Sequence, residues 1–261
     1  MDIIKSTDNS KIKYAVKIKL STKFRVQEGL FFLEGLRLCL DAFRVGISTD
    51  TVFYTTKFKN EYEETLSQLL NSCSNAYEVS ESVMNKLSDT VTPQGIVSLV
   101  KIPKAQNLSV IDGLYVALDR IQDPKNLGAI SRTAEALGVE GIILSPDSCD
   151  PFSPKSLRAS MGALLRLPIY KVADFIGELD RLKQDGMKLF ASVVDADATD
   201  IRTVETVGGR VLIIGNEANG ISNDVREIAS ELVTIKMLGN AESFNASSAA
   251  SILIWEMQRG V

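Results

Sequence analysis

The hydrophobic positions of this chain form short apolar runs that alternate with amphipathic stretches along its whole length. Runs of four or five apolar residues bounded by polar turns predict strands, and apolar positions three or four residues apart predict helices. In the first hundred residues the predicted strands are Leu30–Leu33, Thr51–Tyr54, Ala76–Val79 and Ile96–Val100. Helices are predicted at about residues 10–20, 35–46 and 61–71, and another begins after Ser80. This part of the chain is expected to form a small α/β unit.

A longer α/β series follows. Its predicted strands are Leu114–Leu118, Gly141–Leu144, Ile169–Val172, Leu189–Val194, Val211–Ile214 and Leu232–Ile235. Because strands that alternate with helices pair in parallel through crossover connections, a parallel sheet is expected. Residues 101–107 are polar, contain one proline and show no periodicity, which is typical of a linker. We therefore predict a first domain at residues 1–102, a linker at 103–110 and a second domain at 111–261.

The last two predicted strands open directly onto polar loops, Gly215–Gly220 and Gly239–Asn245. In open α/β sheets, ligands bind just outside the carboxyl ends of the strands. Glycine-bearing turns at those ends let a ligand approach the backbone closely. Two such loops about twenty residues apart, both rich in Asn and Ser, predict one shared binding site.

Composition removes several classes of function. The 261 residues are 45% hydrophobic and 24% charged, as in ordinary globular proteins, with no apolar run of membrane-spanning length. The first twenty residues lack the apolar core of a signal peptide, so a cytoplasmic location is expected. The cysteines Cys39, Cys73 and Cys149 are isolated, and neither a disulfide framework nor a thiolate metal site is indicated. The absence of histidine excludes Ser–His–Asp hydrolysis and HExxH zinc chemistry.

Charge is distributed unevenly, although the net charge is only −4. Between residues 5 and 25 the only acidic residue is Asp8, against Lys5, Lys11, Lys13, Lys17, Lys19, Lys23 and Arg25. Such a local cluster can bind phosphate groups whatever the global charge. A solvated face of an amphipathic helix explains the same pattern equally well.

The first strand of the second domain leads into a further polar segment, residues 119–126. Pro124 is expected to stop the strand, and Asn126 is predicted to cap a helix over Leu127–Leu137. Arg132 lies nearly two turns along that helix. The segment contains neither GxGxxG nor GK[ST], so a Rossmann or P-loop nucleotide site is only weakly indicated.

Three ordered motifs resemble those of the SpoU/TrmH family, RNA 2′-O-ribose methyltransferases of the SPOUT superfamily. They are Asp123-Pro124-x-Asn126-x-Gly128-x-x-x-Arg132-Thr133-Ala134, Gly215-Asn216-Glu217-x-x-Gly220 and Ile235-x-Met237-x-Gly239-x-x-x-Ser243-Phe244-Asn245-x-Ser247. The segment from Arg158 to Pro168 also looks like part of this family. Phe32-Leu33-Glu34-Gly35-x-Arg37 and the segment from Ser88 to Ile96 resemble the substrate-binding domain that often precedes the catalytic part.

The resemblance implies an α/β fold class: a C-terminal SPOUT sheet with a deep trefoil knot, preceded by a small α/β RNA-binding domain resembling the ribosomal-protein L30e-like fold. It implies S-adenosyl-L-methionine as cofactor and no metal. A homodimer is implied through the C-terminal helix region, where the apolar run Ala249–Trp255 faces either its own core or a partner. RNA is the implied partner, with ribosomal RNA favoured over tRNA by analogy.

The resemblance also assigns roles to individual residues. The expected catalytic residues are Arg132, Asn126, Glu217, Ser243 and Asn245. The expected cofactor-binding residues are Gly215, Ile235, Leu238, Gly239 and Phe244. Contacts to RNA are expected from Lys11, Lys13, Lys17, Lys23, Arg25 and Arg37. Phe244 replaces a usual Leu and still offers an apolar wall, whereas Lys236 replaces a usual Pro and alters the local backbone constraint.

The chemistry fits these residue types. A sulfonium methyl donor is already activated, so the enzyme must position the ribose hydroxyl and assist loss of its proton. A guanidinium stays charged in proteins, so Arg132 is expected to grip a phosphate and stabilise the emerging oxyanion rather than act as base. Asn126 is expected to orient the nucleoside or Arg132, and Glu217 to hold the loops.

Alternatives remain open from sequence. In one alternative, Glu217 only holds the loop together. In another, Ser243, Ser247 and Ser248 only cap the C-terminal helix. The whole chain is alternatively a tRNA 2′-O-methyltransferase, a catalytically inactive RNA-binding assembly factor, or a nucleotide-binding metabolic enzyme. Binding of the methyl donor distinguishes the enzyme from the assembly factor.

Overall fold

A computed structural model describes residues 3–104, 108 and 112–259 of the chain. Its contacts separate two compact units. The first unit is Met1–Lys104 together with Phe152–Arg166, and the second is Ala105–Pro151 together with Leu167–Val261. Most of the predicted linker at 103–110 lies outside the described residues. Residues 152–166, which the sequence placed within the second domain, pack instead with the first unit.

The first unit contains a four-stranded sheet in the order β1-β4-β2-β3. Its strands are β1 (Leu30–Glu34), β2 (Thr49–Thr55), β3 (Cys73–Val79) and β4 (Ile96–Lys101). Its first six helices are α1 (Ser10–Leu20), α2 (Thr22–Glu28), α3 (Leu36–Arg44), α4 (Thr56–Glu61), α5 (Glu63–Asn71) and α6 (Glu81–Leu87). Strand β4 is antiparallel to both of its neighbours, while β2 and β3 are parallel. Helices α1 and α6 bury apolar residues on one face of this sheet.

The second unit contains a seven-stranded sheet in which every neighbouring pair is parallel, in the order β7-β6-β5-β10-β8-β11-β9. The strands are β5 (Leu114–Leu118), β6 (Gly141–Leu144), β7 (Ile169–Lys171), β8 (Lys188–Ser192), β9 (Thr199–Asp200), β10 (Arg210–Ile214) and β11 (Glu231–Thr234). The α-helices are α7 (Pro124–Ala136), α10 (Phe175–Gln184), α11 (Asn223–Ile228) and α12 (Ala246–Met257). The predicted parallel sheet is therefore confirmed.

Both faces of the second sheet are covered. Leu212 and Ile214 of β10 pack in one core with residues of α7 and α12, whereas Val211 and Ile213 pack in another with residues of α10 and α11. Successive side chains of a strand point to opposite faces, so a strand covered on both faces reads as a continuous apolar run. This three-layer packing explains why β10 is entirely buried.

Helix α12 is held at both of its ends. At its start, Asn245 Oδ1 accepts hydrogen bonds from Ser247 N at 2.9 Å and Ser247 Oγ at 2.7 Å. At its end, the buried guanidinium of Arg210 donates to Met257 O at 2.8 and 3.1 Å. Helix termini leave unpaired backbone groups that such contacts satisfy. The last helix is thereby tied to the first residue of the central strand.

Residues 152–166 contribute α8 (Pro154–Ala159) and α9 (Ala163–Arg166) to the first unit. The Phe152 and Phe31 rings lie with centroids 4.9 Å apart. Arg158 pairs with Glu34 at 3.3 Å and with Asp89 at 3.1 Å. A further salt bridge joins Arg166 to Asp41 at 2.9 Å. These contacts are long-range in sequence and account for the placement of this segment.

All ten predicted strands are present, with ends shifted by at most three residues. The two-residue strand β9 and the short helices α2 and α4 were not predicted, because elements so short carry no periodic signal. No helix in the described part of the chain has the length and apolar character needed to cross a membrane.

Candidate functional site

Helix α7 begins one turn earlier than the sequence indicated. Its N-cap is Asp123, whose Oδ1 accepts a hydrogen bond from Lys125 N at 2.8 Å, and Pro124 occupies the first turn. The prediction of Asn126 as the N-cap is wrong, because proline is pre-organised for the first helical position and needs no donor there. Asn126 lies inside the first turn, where its side chain is 7% exposed and free of the capping role.

The Glu217 carboxylate joins two of the predicted motifs. It accepts hydrogen bonds from Asn126 Nδ2 at 2.9 Å and from the backbone N atoms of Gln122 and Asp123, both at 3.2 Å. Burial raises the pKa of Glu217, but the hydrogen bonds from Asn126 and the backbone outweigh it and lower the pKa below its ordinary value. The carboxylate is therefore ionised at neutral pH and fixes the start of α7 against the loop after β10.

The pH dependence of stability tests whether the Glu217 carboxylate holds the start of α7 against the loop after β10. A lowered pKa in the folded protein means that Glu217 stabilises the fold above its unfolded pKa near 4.5, and that this contribution disappears as pH falls through the lower folded value. Glu217→Gln is expected to reduce the free energy of unfolding by about 1 kcal/mol at pH 7. In denaturant unfolding, the difference between wild type and variant should shrink as pH falls below about 4.5 and vanish below the lower folded pKa. A difference in the free energy of unfolding that stays constant across pH would contradict this role of Glu217.

A second carboxylate at the end of β5 was missed by the sequence reasoning. Asp119 is 3% exposed, and its Oδ2 accepts a hydrogen bond from Ser222 N at 2.7 Å, just before α11. Arg120, at a left-handed φ of 58°, pairs with Asp119 at 2.9 Å. The Arg120 carbonyl accepts a hydrogen bond from Asn216 Nδ2 at 2.8 Å. An acidic residue directly after a buried strand was the signal available for this anchor.

The loop from Gly215 to Gly220 is compact. Asn216 and Gly220 exchange two backbone hydrogen bonds of 2.9 Å, and Asn216 Oδ1 accepts hydrogen bonds from Ala218 N and Asn219 N. A Cβ atom on Gly215 would lie 2.2 Å from both Gly220 C and Ile221 N. The glycine at this position is therefore required by the loop itself, whatever ligand the loop binds.

Arg132 presents a guanidinium available for a ligand. It is exposed on α7, and among the described residues it has no hydrogen bond or salt bridge. The hydroxyl of the neighbouring Thr133 lies 3.0 Å from Ser251 Oγ, and this hydrogen bond fixes α7 against α12. The backbone that carries Arg132 is thus held by packing, while the side chain remains free to bind an anion.

The predicted loop before α12 is open to solvent. Leu238 is 90% exposed and Phe244 is 43% exposed, while Ser243 is also exposed. Nothing lies within 4 Å of a Cβ atom placed on Gly239. Asn245, rather than a serine, is the N-cap of α12. Two exposed apolar side chains on one polar loop are consistent with a surface that a ligand covers.

A cleft of about 390 Å³ lies at the carboxyl ends of β8 and β11. Its lining residues are Val194, Asp195, Ala196, Ala198, Asp200, Thr234, Ile235, Lys236 and Met237. Ile235 is the member of the predicted cofactor set that lines this cleft. Hydrogen bonds from Arg202 lower the pKa of Asp200 to about 2, so its carboxylate is negative at neutral pH. The sequence did not single out residues 194–200.

The predicted RNA-binding residues divide into exposed and buried groups. Lys11, Lys13, Lys17 and Lys23 are exposed along α1 and α2, and Arg37 is exposed at the start of α3. Arg25 is only 3% exposed, and its Nη1 donates to Ile18 O at 2.8 Å and to Lys19 O at 2.9 Å. The prediction of Arg25 as an RNA contact is therefore contradicted, because its guanidinium satisfies the last carbonyls of α1.

Substitution of Arg25 is expected to affect folding. Arg25→Ala should lower the free energy of unfolding by about 2–4 kcal/mol, since it leaves buried carbonyl groups without donors. Denaturant unfolding of the intact chain measures this. Lys23→Ala, at an exposed position two residues before Arg25, is the matched control and should change stability by less than about 0.5 kcal/mol. Equal stability of the two variants would contradict the structural role.

Comparison with known proteins gives consistent matches over both parts of the chain. The profile of the SpoU rRNA Methylase family matches residues 113–255, and that of the MRM3-like substrate binding domain matches residues 9–98. An uncharacterized tRNA/rRNA methyltransferase of Synechocystis sp. is 32% identical over 98% of this chain and 93% of its own length. The 23S rRNA (guanosine(2553)-2′-O)-methyltransferase RlmP of Bacillus subtilis is 27% identical over 99% of this chain and all of its own.

Solved structures are similar over the same extent. The AdoMet-bound rRNA methyltransferase from Sinorhizobium meliloti superimposes with a TM-score of 0.87 at 30% identity, covering 100% of this chain and 98% of that one. The SpoU methyltransferase AviRb from Streptomyces viridochromogenes, in complex with AdoMet, gives a TM-score of 0.85 at 27% identity. It covers 96% of this chain and 97% of its own.

Proposed function

This chain belongs to the SpoU rRNA methylase family, and from that premise we propose that it methylates a ribose 2′-hydroxyl of ribosomal RNA with S-adenosyl-L-methionine as donor. It is an RNA methyltransferase. The observation that carries the proposal is the Glu217 carboxylate, which joins the Asn126 end of α7 to the loop after β10, on the same helix that presents an unpaired Arg132. Two motifs distant in sequence thus form one fixed site.

The residues at the strand ends fit the methyl donor. The cleft of about 390 Å³ falls in the size range of small-molecule sites, and it combines apolar walls at Val194 and Ile235 with polar backbone. Asp195 and Asp200 also line the cleft, and their carboxylates pair with Arg226 at 3.4 Å and with Arg202 at 2.5 Å. We propose that Ile235 lines the donor site and that Gly215, Leu238, Gly239 and Phe244 complete it. When bound, the donor supplies an activated methyl group on a sulfonium.

Arg132 binds a phosphate of the RNA next to the ribose that reacts. Its planar guanidinium fork matches the geometry of a phosphate. As the 2′-oxygen loses its proton, negative charge develops there, and a nearby fixed cation stabilises it. Arg132 is therefore proposed as the catalytic residue that touches substrate.

The proton of the 2′-hydroxyl needs an acceptor, and the chain has no histidine. Glu217 is poorly placed to act as base, because its oxygens already accept three hydrogen bonds from Asn126 and the backbone. A phosphate oxygen of the RNA held by Arg132 is proposed as the acceptor. Glu217 then acts as a positioning residue, and Asn126, oriented by Glu217, directs the nucleoside.

Asn245 and Ser243 complete the proposed site from the α12 side. Asn245 caps α12 through Ser247, which fixes the loop that ends there. The exposed hydroxyl of Ser243 is proposed to contact substrate. The C-terminal segment is proposed to form the trefoil knot of the resembled family, and the first unit its L30e-like fold. An experimental electron-density map of residues 1–104 and 211–255 tests both.

We propose that the enzyme acts on ribosomal RNA and that it does so in the cytoplasm. The description of the matched family and the name of the Bacillus relative support ribosomal RNA over tRNA. A homodimer through α12 is also proposed. Its support is Trp255, which is 63% exposed on the C-terminal helix although aromatic side chains favour buried interfaces. Light scattering at increasing concentration should give twice the mass of one chain.

One experiment addresses both reaction and substrate. Calorimetry measures binding of S-adenosyl-L-methionine, and mapping of 2′-O-methyl sites follows incubation with unmodified ribosomal RNA or with tRNA. Donor binding and one new site in ribosomal RNA are expected. A site in tRNA alone would replace the proposed substrate. No donor binding, with RNA affinity retained, would favour the inactive assembly factor and end the enzyme proposal.

A further inference from the structure

A cleft of about 290 Å³ lies in the first unit, between α1 and the face of the sheet formed by β2 and β3. We propose that this cleft receives one unstacked base of the RNA substrate. The inference rests on the proposed function, because it assumes that RNA is the ligand. It adds a recognition subsite in the unit that carries the substrate-binding profile, distinct from the methyl-transfer residues of the second unit.

The walls of the cleft are aromatic. Phe53 and Tyr77 are register partners on the parallel strands β2 and β3, with ring centroids 5.7 Å apart and tilted by 34°. Tyr14 lines the cleft from α1. Phe53 is buried, whereas Tyr14 and Tyr77 are partly exposed and accessible to a ligand. RNA-binding proteins recognise single-stranded bases by stacking them on such partly exposed rings.

Polar groups at the cleft suit the edge of a base. The exposed Asn75 lies beside Tyr77 on the same face of β3, and its amide makes one long hydrogen bond, 3.4 Å, to Asp50 O. A side-chain amide presents both a donor and an acceptor, which can pair with the edge of a base. The Tyr14 hydroxyl is already engaged, since it donates to Glu28 Oε2 at 2.8 Å. Thr51 Oγ1 also donates within the protein, to Asp50 Oδ2 at 2.7 Å, so Asn75 and the hydroxyl of Ser10 are the groups that can distinguish one base from another.

Positive charge borders the cleft. Lys11 Nζ lies 4.5 Å from the centre of the Tyr77 ring, at an exposed position on α1. Cation–π contacts of exposed lysines are weak, so Lys11 can leave the ring when a base stacks there. Its ammonium then reaches the phosphate that follows the base. Among the lysines of α1, Lys11 is the one that lines the cleft, whereas Lys13 pairs with Asp8 and Lys17 lies over the Phe24 ring.

The combination of groups favours a nucleotide over other occupants. An apolar peptide side chain needs no amide and no lysine, and a free phosphate needs no aromatic walls. A base with its phosphate uses all three kinds of contact, and the cleft volume exceeds that of one base. The open form of the cleft also suits a segment of a longer strand.

Variants of Tyr77 in the intact chain test the proposal. Tyr77→Leu should raise KM for RNA about fivefold or more, because stacking on the ring is lost, while kcat and donor affinity stay unchanged. Tyr77→Phe retains the ring and should stay within about twofold of wild type. The matched control is Tyr62→Leu, which removes a ring stacked on Phe58 elsewhere in the same unit. Thermal unfolding of each variant establishes that it folds.

Asn75→Ala changes an exposed residue, so it tests the cleft even if Tyr77→Leu unfolds the unit. It should reduce the difference in affinity between oligoadenylate and oligouridylate, measured by fluorescence anisotropy. Photocross-linking of a 4-thiouridine oligonucleotide should label the peptide that contains Tyr77. Wild-type KM and base preference in both variants, with cross-links elsewhere, would overturn the proposal. Absence of methylation by the wild type would instead overturn the proposed function.

Discussion

Arg132→Ala is expected to lower kcat for methyl transfer about 10²- to 10³-fold, the cost of removing one preorganised group that stabilises developing negative charge. Donor affinity should be unchanged, since the guanidinium is proposed to bind RNA. Stability should also be unchanged, because the side chain is exposed and makes no hydrogen bond to the part of the chain that the structure describes. Single-turnover methylation with saturating donor measures the chemical step directly.

Two further variants sharpen this result. Arg132→Lys keeps the charge but loses the planar fork, and its rate should fall between those of wild type and Arg132→Ala. Lys125→Ala removes an exposed cation from the first turn of the same helix and serves as the matched control. A wild-type rate in Arg132→Ala, with normal donor binding, would refute the assigned role. Loss of donor binding in Arg132→Ala would instead assign Arg132 to the donor site.

Gly215→Ala is expected to have the second large effect. The new methyl group would meet backbone atoms of Gly220 and Ile221 at 2.2 Å, and backbone gives way less easily than a side chain. The free energy of unfolding should fall by about 3 kcal/mol, at the upper end for overpacking. Because the loop that carries Glu217 must shift away from Asn126, methyl transfer should fall as well. Denaturant unfolding and donor calorimetry measure the two losses.

Gly239→Ala is the matched control for that substitution. A Cβ atom there has open space around it, so the free energy of unfolding should stay within about 0.5 kcal/mol of wild type. If the donor approaches this backbone closely, donor affinity should fall although stability does not. Wild-type stability of Gly215→Ala would contradict the steric requirement. Unchanged donor affinity of Gly239→Ala would remove Gly239 from the proposed donor site.

The secondary structure was largely predictable from the pattern of apolar residues. Strands such as Leu114–Leu118 and Gly141–Leu144 coincide with the observed β5 and β6, because strands buried on both faces are unbroken apolar runs. The order of strands was not predictable in the same way. Placement of β10 between β5 and β8 depends on contacts between residues far apart in sequence, which no local pattern records.

The residues of the site were easier to predict from the sequence than the contacts between them. Motif resemblance selected Asn126 and Glu217, and the structure places them 2.9 Å apart. The sequence predicted Asn126 as the N-cap of α7, whereas Asp123 is the N-cap because Pro124 occupies the first turn. The catalytic and binding roles of the selected residues stay predictions.

The prediction that Arg25 contacts RNA, made from the cluster of basic residues, is wrong for a physical reason. A cluster of basic residues in sequence does not reveal which side chain turns inward to satisfy the carbonyl groups at the end of a helix. The same limit applies to residues 152–166, whose salt bridges to Glu34, Asp89 and Asp41 join positions more than sixty residues apart. Such tertiary pairings are decided by the whole fold and leave no periodic trace.

The central position of β10 has a consequence for how the second unit folds. Its neighbours β5 and β8 precede it in the chain, so until residues 210–214 insert, two strands face each other across a gap with unpaired edges. Contacts of high sequence separation close slowly, and open strand edges are prone to associate with other chains. The rate-limiting event in refolding should therefore be insertion of this strand, and aggregation should compete with it at high protein concentration.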